Sequence, residues 1–334
     1  MDSAHNLSKA NGHKLKNGEY IPVLGFGTWN TVGTDAYDYV IMALDTGVRL
    51  IDTAFVYLNE NEVGKAIKHK IDEGLIKRED IFITTKLWNT HHHPDLVKGA
   101  CMQSLTNLGV DYIDLYLMHN PYSFREGCEL YPRDEHNEII GSDVDFIDTW
   151  QEMEKLYTSG LVKNIGVSNF NELQLIRLLR LCEHRPSVAQ FECHPFLTNY
   201  DLSTFCKKHD IMVMAFGPLG SPERPIQFTG EPKLLHNATV ATLAKKYNKS
   251  PAQMLIRYQL QRGHIPIPKS ELPEFALENT NVFDFVISLE DMCRLDSLNI
   301  YRRFVNVLSC MKLPEYPFHD DIRYGDQPTD FNRC

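Results

Sequence analysis

Eight short apolar runs punctuate the chain, at residues 22–28, 48–52, 81–86, 113–119, 162–168, 188–192, 211–216 and 265–269, and each has the length and composition of a buried strand. Between them, apolar residues recur every three or four positions over 35–46, 60–74, 94–108, 145–160, 171–183, 200–209 and 251–262, a spacing that predicts amphipathic helices. Strand and helix in regular alternation is the signature of a parallel sheet with crossover helices. Eight such repeats, in a chain somewhat longer than the roughly 250 residues typical of the architecture, fit an α/β (β/α)8 TIM barrel better than an open doubly wound sheet, which stands as the alternative. No shift of composition marks a linker, so residues 1–334 read as one domain, with residues 1–12 as a disordered N-terminal extension.

Segments that break the repeat are informative. Residues 13–21, with Lys16-Asn17-Gly18 between apolar flanks, read as a β-hairpin ahead of the first barrel strand, placed to plug the barrel bottom. Residues 120–143 form a long loop after the fourth strand and residues 217–233 another after the seventh, and the tail is irregular from about residue 300. Both loops leave the face formed by the carboxyl ends of the strands, where barrels do their chemistry.

Three of the apolar runs deliver ionisable groups to that face. The second ends in Asp52 with Tyr57 just beyond, the third in Lys86 and the fourth in His119. Reducing a carbonyl needs a hydride on one side and a proton, or strong hydrogen bonding, at the oxygen. Tyr57 suits the proton donor, Lys86 would lower its pKa, Asp52 would hold Lys86 and keep it charged, and His119 would be a neutral donor orienting the substrate oxygen. Taken singly, each has a structural reading: a capping aspartate, a paired lysine, a core tyrosine, a satisfied buried histidine. Four together at strand ends are harder to explain that way.

Composition narrows the field. A formal net charge of -10 and a pI near 5.8 argue against a nucleic-acid or anionic membrane surface. No stretch is long and apolar enough to span a bilayer and Met1 to Gly18 carry no signal-peptide segment, so a cytoplasmic location is expected. The eight cysteines show no CxxC pairing and read as reduced thiols. No metal site is expected: His91-His92-His93, before Pro94, read as a solvated helix-cap region. Gly25-Phe26-Gly27 lacks the last glycine of a dinucleotide fingerprint, where Asn30 stands.

The motifs in order resemble the aldo-keto reductase superfamily, and within it the aldose reductase branch. The resemblance runs from Leu24-Gly25-Phe26-Gly27-Thr28-Trp29 to Tyr316-Pro317-Phe318-His319. It passes through Asp52-Thr53-Ala54-Phe55-Val56-Tyr57, Thr85-Lys86-Leu87-Trp88, Leu115-Tyr116-Leu117-Met118-His119, Gly166-Val167-Ser168-Asn169-Phe170, Gln190-Phe191-Glu192-Cys193-His194-Pro195, Pro218-Leu219-Gly220-Ser221-Pro222 and Ile267-Pro268-Lys269-Ser270. It implies NADPH bound without a Rossmann domain, with NADH weaker, and a monomer. Thr28 and Trp29 would border the cofactor, Ser168, Asn169 and Gln190 would hold the nicotinamide carboxamide, and Phe216 would stack under the ring. Leu219, Ser221 and Glu223 would cover the pyrophosphate, Lys269 and Ser270 would meet the adenosine phosphate, and Glu278 and Asn279 the adenine. Trp29, Phe55, Trp88, Asn120, Tyr122, Phe124, Val305 and Val307 would line the substrate pocket.

Three departures from the resembled pattern stand out. Phe275 takes the place of an arginine that sits on the adenosine phosphate or stacks on adenine; phenylalanine can stack but cannot pair with phosphate, which predicts weakened selectivity for NADPH, with Lys269 still favouring it. Asn120 replaces a tryptophan after the catalytic histidine, and Phe304-Val305-Asn306-Val307 replaces a cysteine-bearing tail segment. His119, where reducers of steroid carbon–carbon double bonds carry glutamate, implies a carbonyl reductase of aldehydes or sugars. The rival reading is a cofactor-binding sensor, accessory subunit or structural protein on the same fold, with little turnover.

Overall fold

The structure, a computed structural model, describes residues 7–8, 11–225, 227 and 229–319. Eight parallel strands stand in one sheet in sequence order: Phe26–Gly27 (β3), Leu50–Asp52 (β4), Phe82–Leu87 (β5), Leu115–Met118 (β6), Ile165–Ser168 (β7), Val188–Glu192 (β8), Met212–Phe216 (β9) and Ile265–Pro266 (β10). The row curls onto itself: Gly25 N donates to Pro266 O at 3.0 Å and Gly27 N to Pro268 O at 3.2 Å, joining the first strand to the last. This is the expected (β/α)8 barrel. The end strands are shorter than the apolar runs that predict them, Phe26–Gly27 within 22–28 and Ile265–Pro266 within 265–269, although Gly25 and Pro268 still bond across the seam.

The period of two along each strand decides what lies inside. Leu50, Phe82, Leu115, Leu117, Val188, Met214 and Ile265 point inward and pack as one cluster. Their neighbours Ile51, Ile83, Tyr116, Ala189 and Val213 point outward and pack in the layer that carries the helices. Toward the carboxyl ends of four strands the interior turns polar, at Asp52, Lys86, Ser168 and Gln190. Gly166 is the inward residue below Ser168; a Cβ there would lie 2.4 Å from Val188 O, so only glycine lets β7 and β8 approach this closely.

The hairpin His13–Lys14 (β1) and Tyr20–Ile21 (β2) closes the bottom, with Leu15 and Ile21 buried in the interior cluster. Helices Thr34–Asp45 (α1), Glu60–Asp72 (α2), Pro94–Leu108 (α3), Phe146–Thr158 (α4), Glu172–Leu181 (α5), Tyr200–Lys208 (α6) and Pro251–Gln261 (α8) match the amphipathic stretches to within a few residues. Three further helices were not expected: Ala238–Tyr247 (α7), Pro273–Thr280 (α9) and Leu289–Asp296 (α10). The expected disordered extension falls largely outside the described residues, but Leu7 is fully buried against Leu24, Ile256 and Val282.

Among the described residues no helix is long and apolar enough to cross a membrane, and no cluster of ligating side chains could hold a metal. The histidine triplet is not a solvated cap throughout. His93 does cap α3, accepting from Asp95 N, but His92 is buried beside Ser123 Oγ at 3.0 Å.

Candidate active site

Lys86 is the centre of the strand-end cluster. Its Nζ donates to Asp52 Oδ1 at 2.6 Å, to Thr53 O at 2.9 Å and to Tyr57 Oη at 3.4 Å. Asp52 is held from its other side by Gln190 Nε2 at 2.7 Å. Tyr57 arrives on a one-turn 3-10 helix, Phe55–Tyr57, that follows β4, and its ring meets that of His119 edge-on at 5.8 Å. Trp88 packs on the same histidine at 5.3 Å.

Burial governs the charges here. Desolvation pushes the Lys86 ammonium below its usual range and the Asp52 carboxyl above its own, each opposed by attraction to the other. His119 is driven well below 6.5 by burial, then by Lys86 and His92, and stays neutral as expected. Tyr57 departs from expectation. Its pKa lies well above that of a free phenol because burial, Asp52 and the nearby Tyr131 all oppose a phenolate, and the Lys86 charge is already largely offset by Asp52.

These groups form the floor of a cavity of about 620 Å³. Asp52, Tyr57 and His119 line it directly, whereas Lys86 is fully buried behind them. One end is walled by Trp29, Trp88, Asn120, Tyr122, Phe124, Val305 and Val307. The other runs past Ser168, Asn169, Gln190, Phe216, Leu219, Ser221 and Glu223 to Lys269, Ser270, Phe275, Glu278 and Asn279. Two expected residues stand apart. Thr28 is buried beneath the wall, donating to Asp52 O at 3.1 Å, and Phe55 packs on His91 and does not line the cavity.

Several of these side chains are fixed by one another. Asn169, in a left-handed conformation at φ 60, donates from Nδ2 to His119 O and Asn120 Oδ1, both at 3.1 Å, and Asn120 in turn donates to Asn89 Oδ1 at 3.1 Å. Lys269 pairs with Glu271 at 2.8 Å and Glu223 at 3.5 Å and donates to Asn30 O at 3.1 Å, so the loop after β9 is tied across the cavity mouth. Asn279 donates to Ser270 Oγ at 2.8 Å and Ser250 to Glu278. The Ser168 hydroxyl is different: it is buried in the wall with no hydrogen-bond partner.

Sequence reasoning missed Tyr131, Phe318 and Arg224, all of which border the cavity. Tyr131 stacks edge-on against Trp88 at 5.3 Å, and Trp88 Nε1 donates to Leu130 O at 2.7 Å, so the loop after β6 folds back over the floor. The aromatic density of 120–143 and of the tail was the available signal; neither segment has a period that shows which way its rings face.

The model of the aldo/keto reductase family matches residues 23–300 of the chain. The protein belongs to that family. Among similar proteins are aldo-keto reductase family 1 member A1-A of Danio rerio, 44% identical over 91% of this chain and 97% of the relative, and aldo-keto reductase family 1 member D1 of Mus musculus, 44% identical over 95% and 99%. The solved aldose reductase from Schistosoma japonicum superposes with a TM-score of 0.87 at 40% identity, covering 93% of this chain and 99% of that one. The chain is thus an oxidoreductase of the aldo/keto reductase family, whose members act on carbonyl compounds with NAD(P)H.

Proposed function

We propose that this aldo/keto reductase reduces aldehydes, aldoses or other carbonyl compounds to alcohols with NADPH, and that Tyr57 is its general acid. The observation that carries the reading is the chain Gln190–Asp52–Lys86–Tyr57, continuous through contacts of 2.7, 2.6 and 3.4 Å and opening on the cavity beside His119.

The cavity wall suits the cofactor. The orphaned Ser168 hydroxyl and the fixed amides of Asn169 and Gln190 would hold a carboxamide, Phe216 offers a ring face, and Lys269 is a cation at the far end. When bound, NADPH supplies the hydride. The protein supplies the rest. A phenol whose pKa is raised keeps its proton through neutral pH, so Tyr57 Oη is a loaded donor when a carbonyl oxygen arrives. Lys86, 3.4 Å away, steadies the phenolate left after transfer, and Asp52 holds Lys86 in place. Neutral His119 can offer a hydrogen bond to the same oxygen without adding a second cation beside Lys86.

Tyr57→Phe tests this by removing only the hydroxyl. Reduction of an aromatic aldehyde, followed by loss of NADPH absorbance, should fall by roughly 10²–10⁴-fold while NADPH binding stays within about twofold. Unchanged turnover would assign the proton to another group. A wild-type protein that binds NADPH but turns over no aldehyde would support a sensor or structural protein instead.

A further inference from the structure

Glu192 lies one inward step beyond Gln190 on β8, yet it does not line the cavity. Its carboxylate is fully buried and faces the C-terminal tail. Oε1 accepts from His194 Nε2 and from Phe304 N, both at 2.8 Å, and Oε2 accepts from Val305 N at 2.9 Å. Burial alone would raise its pKa, but His194, Arg303 and the Phe304 amide outweigh that and hold it below the usual value. A buried carboxylate met by three donors is a fixed anchor.

What it anchors has little order of its own. Between α10 and a single 3-10 turn at Leu308–Cys310, the tail forms no helix or strand. It is stitched instead onto the residues after β8. Arg302 N donates to Phe196 O at 2.9 Å, and the Phe304 ring packs against His194 at 5.1 Å beneath the Arg224 guanidinium at 4.6 Å. The residues that follow, Val305 and Val307, form part of the cavity wall.

We propose that Glu192 is a positioning residue that sets the substrate-side wall: by gripping the Phe304 and Val305 amides it places Val305 and Val307, and so determines which carbonyl compounds fit. This rests on the carbonyl-reducing function above. Glutamine at this position keeps the size, and its Oε1 can still accept from His194 and Phe304. Its Nε2, however, would face Val305 N–H, donor against donor.

Glu192→Gln should therefore lower kcat/KM for a bulky aldehyde such as biphenyl-4-carbaldehyde by about tenfold, mostly through KM, while propanal changes by less than about twofold. Hydrogen–deuterium exchange at 304–307 should accelerate at least about tenfold with the barrel strands unaffected. An equal loss for both aldehydes, or unaltered exchange at 304–307, would overturn the proposal. Phe304→Leu loosens the same segment without touching the buried charge, and the same split is expected if Glu192→Gln fails to fold. Silence of the wild type on both aldehydes would instead count against carbonyl reduction, and the exchange measurement would then decide the anchoring by itself.

Discussion

The two sides of the cavity are held by different means. At the floor, Asp52 and Lys86 sit on strands, inside the barrel ladder, and are tied by charged hydrogen bonds as short as 2.6 Å. The substrate-side wall comes from Trp88 just after β5, the loop after β6 and the tail, where Trp88, Tyr122, Phe124 and Tyr316 pack ring on ring. Directional bonds on a rigid ladder fix the floor atom by atom; the substrate-side wall rests mainly on apolar packing between loops, pinned to the barrel at the tail by Glu192, so sequence changes in the loops can remodel its shape without disturbing the floor.

The strongest way to break that contrast is to remove the charge at the centre of the floor. Lys86→Met leaves Asp52 buried beside Gln190 without its cation and should cost about 3–5 kcal/mol in urea unfolding, together with most turnover. A loss under about 1 kcal/mol would mean that packing, not charge, holds the floor.

Acid should find the same weakness. Burial lowers His92 and His264 to about 3 and His119 well below its usual value. Below the unfolded value of about 6.5, the unfolded chain therefore takes up protons that the folded chain refuses, and stability falls with pH down to the folded values. Between pH 6.5 and 5 the loss should be about 1.6 kcal/mol for a histidine lowered as far as His92, and His92→Gln should remove that share of the slope in chemical denaturation. A slope unaltered by that variant would show that His92 accepts a proton within the fold.

A smaller effect is expected at the cavity's far end. Phe275, half-exposed on α9, lines the cavity near Lys269. Phe275→Arg should raise the ratio of kcat/KM for NADPH over NADH by about tenfold, with kcat for a given aldehyde little changed. An unchanged ratio would place the adenosine phosphate out of reach of this helix.

The same contrast explains what could be read from the sequence. Asp52, Lys86 and His119 were legible because each ends an apolar run, and a period of two then assigns its face. The high pKa of Tyr57 was not, since it depends on burial and on Tyr131, which the chain brings in from 74 positions downstream. Helices α9 and α10 were missed because each is only eight residues long and carries fewer than three turns of periodicity. Their start signals were nonetheless present, in Pro273 at the first turn of one and in the Ser288 side chain accepting from Asp291 N in the other. The grip of Glu192 on Phe304 and Val305 spans more than a hundred residues and leaves no local trace.

The hairpin at the barrel bottom has a kinetic consequence. Leu15 and Ile21 stopper one end of the barrel against its packed interior, and the cavity lies at the other end. Whatever the cavity takes in and gives out is therefore exchanged at that face and not through the barrel, and the rate of that exchange sets an upper limit on throughput however fast the bond-making becomes.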